Sequence, residues 1–248
     1  MIVWSYGGGV QTAGLAVLIR AGALPRPDLT VFADTGREGT ATLEYLEAVM
    51  RPYLAGCGVD VHVAPHSLAK VDLYAHNGDL LLPAFTATGK LRTYCSDEWK
   101  RAVIRRYLRS RGVESCDGWL GISFDERHRC RESDAKWHRN VYPLVERYIT
   151  REACRLLVER AGLPPAPRSS CWMCPHRTDE EWRFLRDRQP ADFARACELD
   201  ERARAADEQG GVYLHRSRVP LREADIEPKK TAQLELFPAT CGSGHCWT

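Results

Sequence analysis

Three short stretches carry residue types and spacings that could do chemistry. Cys171-Trp172-Met173-Cys174 is a Cys-x-x-Cys. Paired thiolates at this spacing suit a metal or redox site. The second stretch is Ser5-Tyr6-Gly7-Gly8-Gly9-Val10-Gln11-Thr12, between apolar Ile2-Val3-Trp4 and the helix-forming run Ala13 to Arg20. A strand, a glycine turn and a helix in that order bring backbone N–H groups and a positive helix end to one point. This makes an anion site for which phosphate is the usual ligand. Adjacent glycines let the backbone approach that ligand closely, and Thr12 and Ser5 add hydroxyl donors. Neither G-x-x-x-x-G-K-[ST] nor G-x-G-x-x-G fits the stretch. The third is Asp34-Thr35-Gly36, whose carboxylate suits a magnesium ion or a ribose hydroxyl, or caps a strand-to-helix turn.

The elements that position these stretches alternate. Strands are expected at Ile2 to Trp4, Leu29 to Ala33 and Val59 to Ala64, with a helix from Thr40 to Leu54. This β-α-β-α-β order predicts a parallel sheet with helices on its faces. Ligands of such sheets lie beyond the carboxyl ends of the strands, where the glycine turn and Asp34-Thr35-Gly36 both fall. Residues 66–89 read as irregular. A helix from Cys95 to Arg111 carries a basic face, followed by strands at Trp119 to Ser123 and Asn140 to Val145, where Pro143 suggests a strand end. Thr150 caps a helix to Ala161, which Gly162 and Pro164-Pro165 stop. Residues 1–165 therefore read as a nucleotide-binding α/β domain and 166–248 as a cysteine-containing subdomain and tail. In the second part a capping box at Thr178 to Glu181 opens a helix to Arg188. A charged helix runs from Asp192 to Glu208, and an exposed tail begins at Glu227.

Composition sets bounds on this reading. The chain has 248 residues, 44% hydrophobic and 27% charged, with a net charge of +2. Such a balance gives no global argument for nucleic acid, though arginine greatly outnumbers lysine and is the better residue for bidentate phosphate contacts. No run of eighteen apolar residues occurs, so no membrane span is expected. The N-terminus enters a strand with no signal core, which makes a cytoplasmic location the expectation. Ten cysteines without a secretory signal favour metal or redox chemistry over a disulfide framework.

Gly7-Gly8-Gly9-Val10-Gln11-Thr12 resembles the pyrophosphate loop of the adenine-nucleotide alpha hydrolase superfamily, roughly Ser-Gly-Gly-x-Asp-Ser. Gly7 replaces the first serine, Gln11 the aspartate and Thr12 the last serine. Asp34-Thr35-Gly36 resembles the Asp-Thr-Gly of the phosphoadenosine-phosphosulfate reductase branch, as Arg92 to Lys100 and Cys171 to Trp182 resemble its later motifs in the same order. The resemblance implies an α/β three-layer sandwich with a parallel sheet. It also implies an adenine nucleotide, ATP or a sulfonucleotide, bound with Mg2+. Ser5, Gly7, Gly8, Gly9, Gln11, Thr12, Asp34, Thr35, Gly36 and Arg129 would hold that nucleotide. Lys100, Arg105 or Arg129 would neutralise developing charge.

Cys95, Cys171 and Cys174 fall where cluster-binding relatives place ligands. Three cysteines are one short of a fully ligated 4Fe-4S cluster, as in some tRNA-thiolating relatives, where one iron is left open. His176 or Cys130 is an alternative fourth ligand, and structural zinc an alternative metal. The leading expectation is ATP-dependent sulfur transfer to a nucleic acid, DNA or tRNA, or to a nucleobase. The alternatives are reduction of adenylyl sulfate or its 3′-phosphate, and a zinc-stabilised nucleic-acid- or clamp-associated module without catalysis. For the reductase, Thr240 to Cys246 resembles the tail whose cysteine attacks the sulfonucleotide, which makes Cys241 the nucleophile. For the module, Gln233-Leu234-Glu235-Leu236-Phe237 resembles the peptide by which bacterial proteins dock on the sliding clamp. The sequence leaves the oligomeric state open.

Overall fold

A computed structural model describes residues 1–207 and 211–228. Gln233 to Phe237, Cys241 and Cys246 lie outside the described residues. The main sheet contains β1 (Ile2–Tyr6), β2 (Leu29–Ala33), β3 (Val61–Ala64), β6 (Cys116–Leu120) and β7 (His138–Val141), in the order β3-β2-β1-β6-β7. Every pairing is parallel, with Val3 opposite Leu29 and Trp4 opposite both Thr30 and Trp119. A small antiparallel hairpin joins β4 (Phe85–Thr86) to β5 (Gly89–Lys90). The helices are α1 (Val10–Arg20), α2 (Thr40–Tyr45), α3 (Arg51–Ala55), α4 (Ala102–Ser110), α5 (Pro143–Glu146), α6 (Arg151–Arg160), α7 (Asp179–Arg188) and α8 (Pro190–Ala206). Among the described residues no helix is long and apolar enough to cross a membrane.

Alternation along the strands separates two cores, because successive side chains leave opposite faces of a sheet. Trp4, Tyr6 and Phe32 face a layer formed with Leu15, Leu46, Leu54 and Val158. Val3, Val31 and Ala33 face Val103, Ile104 and Leu108 of α4. All five residues of β2 are buried, as a strand covered on both faces requires. The result is the expected three-layer α/β architecture. α1 and α6 approach closely because position 14 is glycine: a Cβ there would lie 2.8 Å from that of Cys154. A third core joins Trp172, Met173, Trp182 and Leu185 to Leu81, Leu82 and Trp99.

Several boundaries differ from the sequence expectation. The strand expected at 119–123 is Cys116–Leu120, a start hidden by Asp117 and Gly118. Gly118 is there because the His138 ring covers it, and a Cβ would lie 2.3 Å from Cε1. The strand expected at 140–145 ends at Val141, and Pro143 instead opens α5, where its missing N–H costs nothing. The helix at 40–54 is α2 and α3 joined by a π-helical turn at Leu46–Met50. A second such turn, Asp97–Arg101, leads into α4.

Candidate functional site

The strand order reverses at β1, whose neighbours β2 and β6 lead to opposite edges, so the crevice of this fold opens at the end of β1. Gly7 to Gly9 lie there, between Tyr6 and Val10. Gly8 has φ +75°, and a Cβ on it would be 2.6 Å from Thr42 Cγ2. No side chain caps α1 and no acidic residue stands in its first turn, so the N–H groups and positive end of this helix face no built-in anion. The Thr12 hydroxyl folds back on the loop, accepting from Gly9 N at 3.0 Å and donating to Gly9 O at 2.8 Å. Gly121, after β6, lets the loop close on it, since a Cβ there would be 2.9 Å from Thr12 Cγ2. Gln11 Oε1 accepts from Arg151 Nη1 at 3.1 Å. The residue standing where the motif has an aspartate therefore holds a guanidinium beside the loop. Ser169 crosses the front of the loop, its hydroxyl donating to Gly7 O. Cavities of about 600 Å³ and about 920 Å³ open on either side of Pro165 and Ala166. The first is lined by Val10, Asp125 and Arg151, the second by Thr42, Arg168 and Arg177.

The turn after β2 connects the loop region to the thiols. Asp34 Oδ1 accepts from Gly36 N at 2.7 Å, an Asx turn that Gly36 completes with φ +65°. Thr35 is fully buried, and its hydroxyl donates to Glu38 Oε1 at 3.1 Å and lies 3.6 Å from Cys171 Sγ. Glu38 and Cys171 form an isolated antiparallel bridge, in which Trp172 N donates to Arg37 O at 3.0 Å. The Glu38 side chain is fully buried, with Oε1 2.9 Å from Lys100 Nζ and Oε2 without a partner. Burial opposes the Lys100 charge, but Glu38 beside it, together with Cys171 and Cys174, holds the ammonium well above its ordinary range.

Cys95, Cys171 and Cys174 share this neighbourhood. Burial, and then the adjacent Cys174, push the Cys95 thiol up to about 11. Burial, and then Glu38, push Cys171 up to about 12. The donor type suits zinc or an iron–sulfur cluster. Among the described residues, however, no three His, Cys, Asp or Glu side chains lie close enough together to hold a metal ion. As placed, the three thiols do not make a finished metal site. Neither alternative fourth ligand joins them. His176 Nδ1 is 2.7 Å from Lys90 Nζ and its Nε2 3.3 Å from Thr93 Oγ1. Cys130 lies between Arg129 and Arg131 after β6, and its charged neighbours are those arginines, not the other thiols.

Ser5 is the fourth residue of β1, in register with Val31 and Leu120, because the strand runs two residues past Trp4. Arg129 pairs with Glu126 three residues back, and Arg105 with Asp134. Lys100, expected to neutralise developing charge, stands against Glu38 and near Cys171 and Cys174. Glu38 itself was missed, since one carboxylate after Asp-Thr-Gly carries no periodicity that would mark it as buried. Its two-residue distance from Gly36 was the available signal.

No family model and no curated protein sequence matches the chain. Solved structures similar to it include the following two. The U34-tRNA thiolase NcsA from Methanococcus maripaludis, with its 4Fe-4S cluster, is 15% identical with a TM-score of 0.45, over 84% of this chain and 72% of that one. The phosphoadenylyl-sulfate reductase from Candida auris, in a phosphate complex, is 12% identical with a TM-score of 0.43, over 69% of this chain and 82% of that one.

Proposed function

We propose that this chain is an ATP-dependent sulfurtransferase acting on a nucleic acid or nucleobase. The observation that carries the reading is the run Ser169-Ser170-Cys171. Ser169 touches the glycine loop at Gly7, Ser170 O accepts from Gly39 N at 3.2 Å, and Cys171 meets Thr35 and Glu38. An anion loop and a thiol site thus stand two residues apart along one segment, as activation followed by sulfur delivery requires.

In this reading the glycine loop and the α1 N-terminus bind the polyphosphate, with Arg151 alongside. The acceptor carbonyl oxygen attacks the α-phosphorus, the bond to pyrophosphate breaks, and pyrophosphate leaves with the electron pair. A sulfide supplied at the thiol site then attacks the activated carbon. AMP departs with the original oxygen, and the sulfide proton passes to solvent. Lys100 places a fixed cation where the sulfur anion arrives.

The test follows pyrophosphate release from ATP and thiolated product separately, with sulfide present. Gly8→Ala is expected to abolish both. Cys171→Ala is expected to keep pyrophosphate release and lose product. Sulfite release from a sulfonucleotide, lost in Cys241→Ala, would replace this reading with the reductase.

A further inference from the structure

The basic helix face visible in the sequence is largely committed within the fold. Arg101 and Arg105 bind Asp134, Arg106 donates to Leu68 O, and Arg109 stacks on Trp137 and donates to Val113 O. Exposed positive charge without a carboxylate partner among the described residues lies instead on the segment that leads to Cys95, at Lys90 and Arg92. There the exposed His176 is a hub: Lys90 Nζ lies 2.7 Å from Nδ1, Thr93 Oγ1 3.3 Å from Nε2, and Arg168 Nη2 donates to its carbonyl at 3.0 Å. Thr93 is two residues before Cys95 and His176 two after Cys174, so this rim borders the thiols directly. Lys90 and Arg92 are exposed and pair with no carboxylate among the described residues. Of the nearby acids, Glu181 pairs with Arg168 and Asp97 with Arg101. Tyr94, 40% exposed, adds an aromatic side chain to the same edge.

We propose that the rim of Lys90, Arg92, Thr93, Tyr94 and His176 docks an unpaired stretch of nucleic acid and feeds one base toward Cys171. The proposal rests on the sulfur-transfer reading and names the form of its acceptor. Cations that track phosphates, beside an aromatic on which a base stacks, are the makings of a single-strand platform. The thiols behind the rim are partly to largely buried, and a base still in a duplex stack cannot enter, so the reacting base must be unpaired or extruded.

Fluorescence anisotropy on the full chain tests this, using single-stranded RNA, single-stranded DNA and duplex DNA probes of about 15 nucleotides between about 50 and 200 mM salt. The expected result is at least about tenfold tighter binding of a single strand than of the duplex, with the two single-stranded probes distinguishing RNA from DNA. Lys90→Ser and Arg92→Ser should each lower the slope of log affinity against log salt by about 0.7. Tyr94→Ala should cost several-fold in affinity at unchanged slope, and Arg155→Ser on α6 should change neither. Full-strength single-strand binding by the Lys90→Ser/Arg92→Ser double variant, or preference for the duplex, overturns the proposal. Pyrophosphate release and product are read on the same samples. Rim-dependent binding with no thiolated product supports the docking surface while removing the sulfur-transfer reading.

Discussion

Lys100 Nζ sits 2.9 Å from Glu38 Oε1, with the carboxylate side chain fully buried and the lysine one third exposed. The pair joins the turn after β2 to the π-helical turn before α4, beside Cys171. Removing one member of a buried pair strands the other's charge, at about 3–5 kcal/mol when both are buried. With Lys100 part-exposed, Lys100→Met is expected to cost about 2 kcal/mol. Lys100→Met/Glu38→Gln together should cost less than the sum by about 1 kcal/mol. Urea unfolding of the four proteins gives the cycle, and strict additivity would show that the two groups do not interact.

The thiol environment predicts an alkaline limit to stability. Burial is the first cause for Cys171 and Cys154, both pushed up from 9.0 to about 12, and for Cys95 and Cys197, both pushed up to about 11. A raised thiol keeps its proton in the folded state when the unfolded chain has already lost it. The folded state then binds more protons, and stability falls as pH rises. The contribution is whole below pH 9 and is lost progressively as pH climbs toward 11 to 12. Unfolding midpoints of metal-free, reduced protein should be flat from pH 7 to about 8.5 and fall above it. Alkylation of Cys171, read by peptide mass spectrometry, should quicken about tenfold per pH unit over the same range.

Gly14 is the contact on which α1 and α6 pack. A methyl group there would meet Cys154 Cβ at 2.8 Å and Sγ at 2.9 Å. Gly14→Ala gains helix propensity but forces the helices apart, and a net loss of about 1–3 kcal/mol is expected. Pairing it with Cys154→Gly should recover part of the loss. Failure to recover any would place the strain elsewhere.

Asp192, fully buried at the start of α8, accepts from Thr40 N at 2.8 Å and from Thr40 Oγ1 at 2.9 Å, and pairs with Arg195. It supplies to α2 the cap that Gly39 lacks a side chain to provide. Asp192→Ala is expected to cost about 1–3 kcal/mol by leaving those part-buried donors without an acceptor. Hydrogen exchange should show faster opening of the first turn of α2, and protection unchanged from wild type would refute the capping role.

Much of this arrangement is legible in the chain. The β1–loop–α1 unit could be read because a strand, glycines and a helix each leave a local signature, and Thr178 to Glu181 because both capping-box bonds lie within four residues. Cys171 and Cys174 stand out by their Cys-x-x-Cys spacing, whereas Cys95 stands out only through the resemblance of Arg92 to Lys100. What escaped depends on distant partners. Glu38 is defined by Lys100 and Cys171, which local periodicity cannot report. The partners of the α4 arginines come from Leu68, Val113 and Asp134, so a face that reads as free is occupied. β1 runs two residues past the expected end at Trp4, so Ser5 belongs to the strand and not to the turn.

The bonds that close the site also set its order of assembly. Gly7 meets Ser169, Thr35 meets Cys171 and Thr40 meets Asp192, separations of 162, 136 and 152 residues. On a ribosome the glycine loop and its first helix are made early, but Cys171 cannot reach Thr35 until at least its own segment has emerged. Long-range closures of this kind form late and slowly. A product truncated before Cys171 keeps the glycine loop but lacks the thiol that meets Thr35.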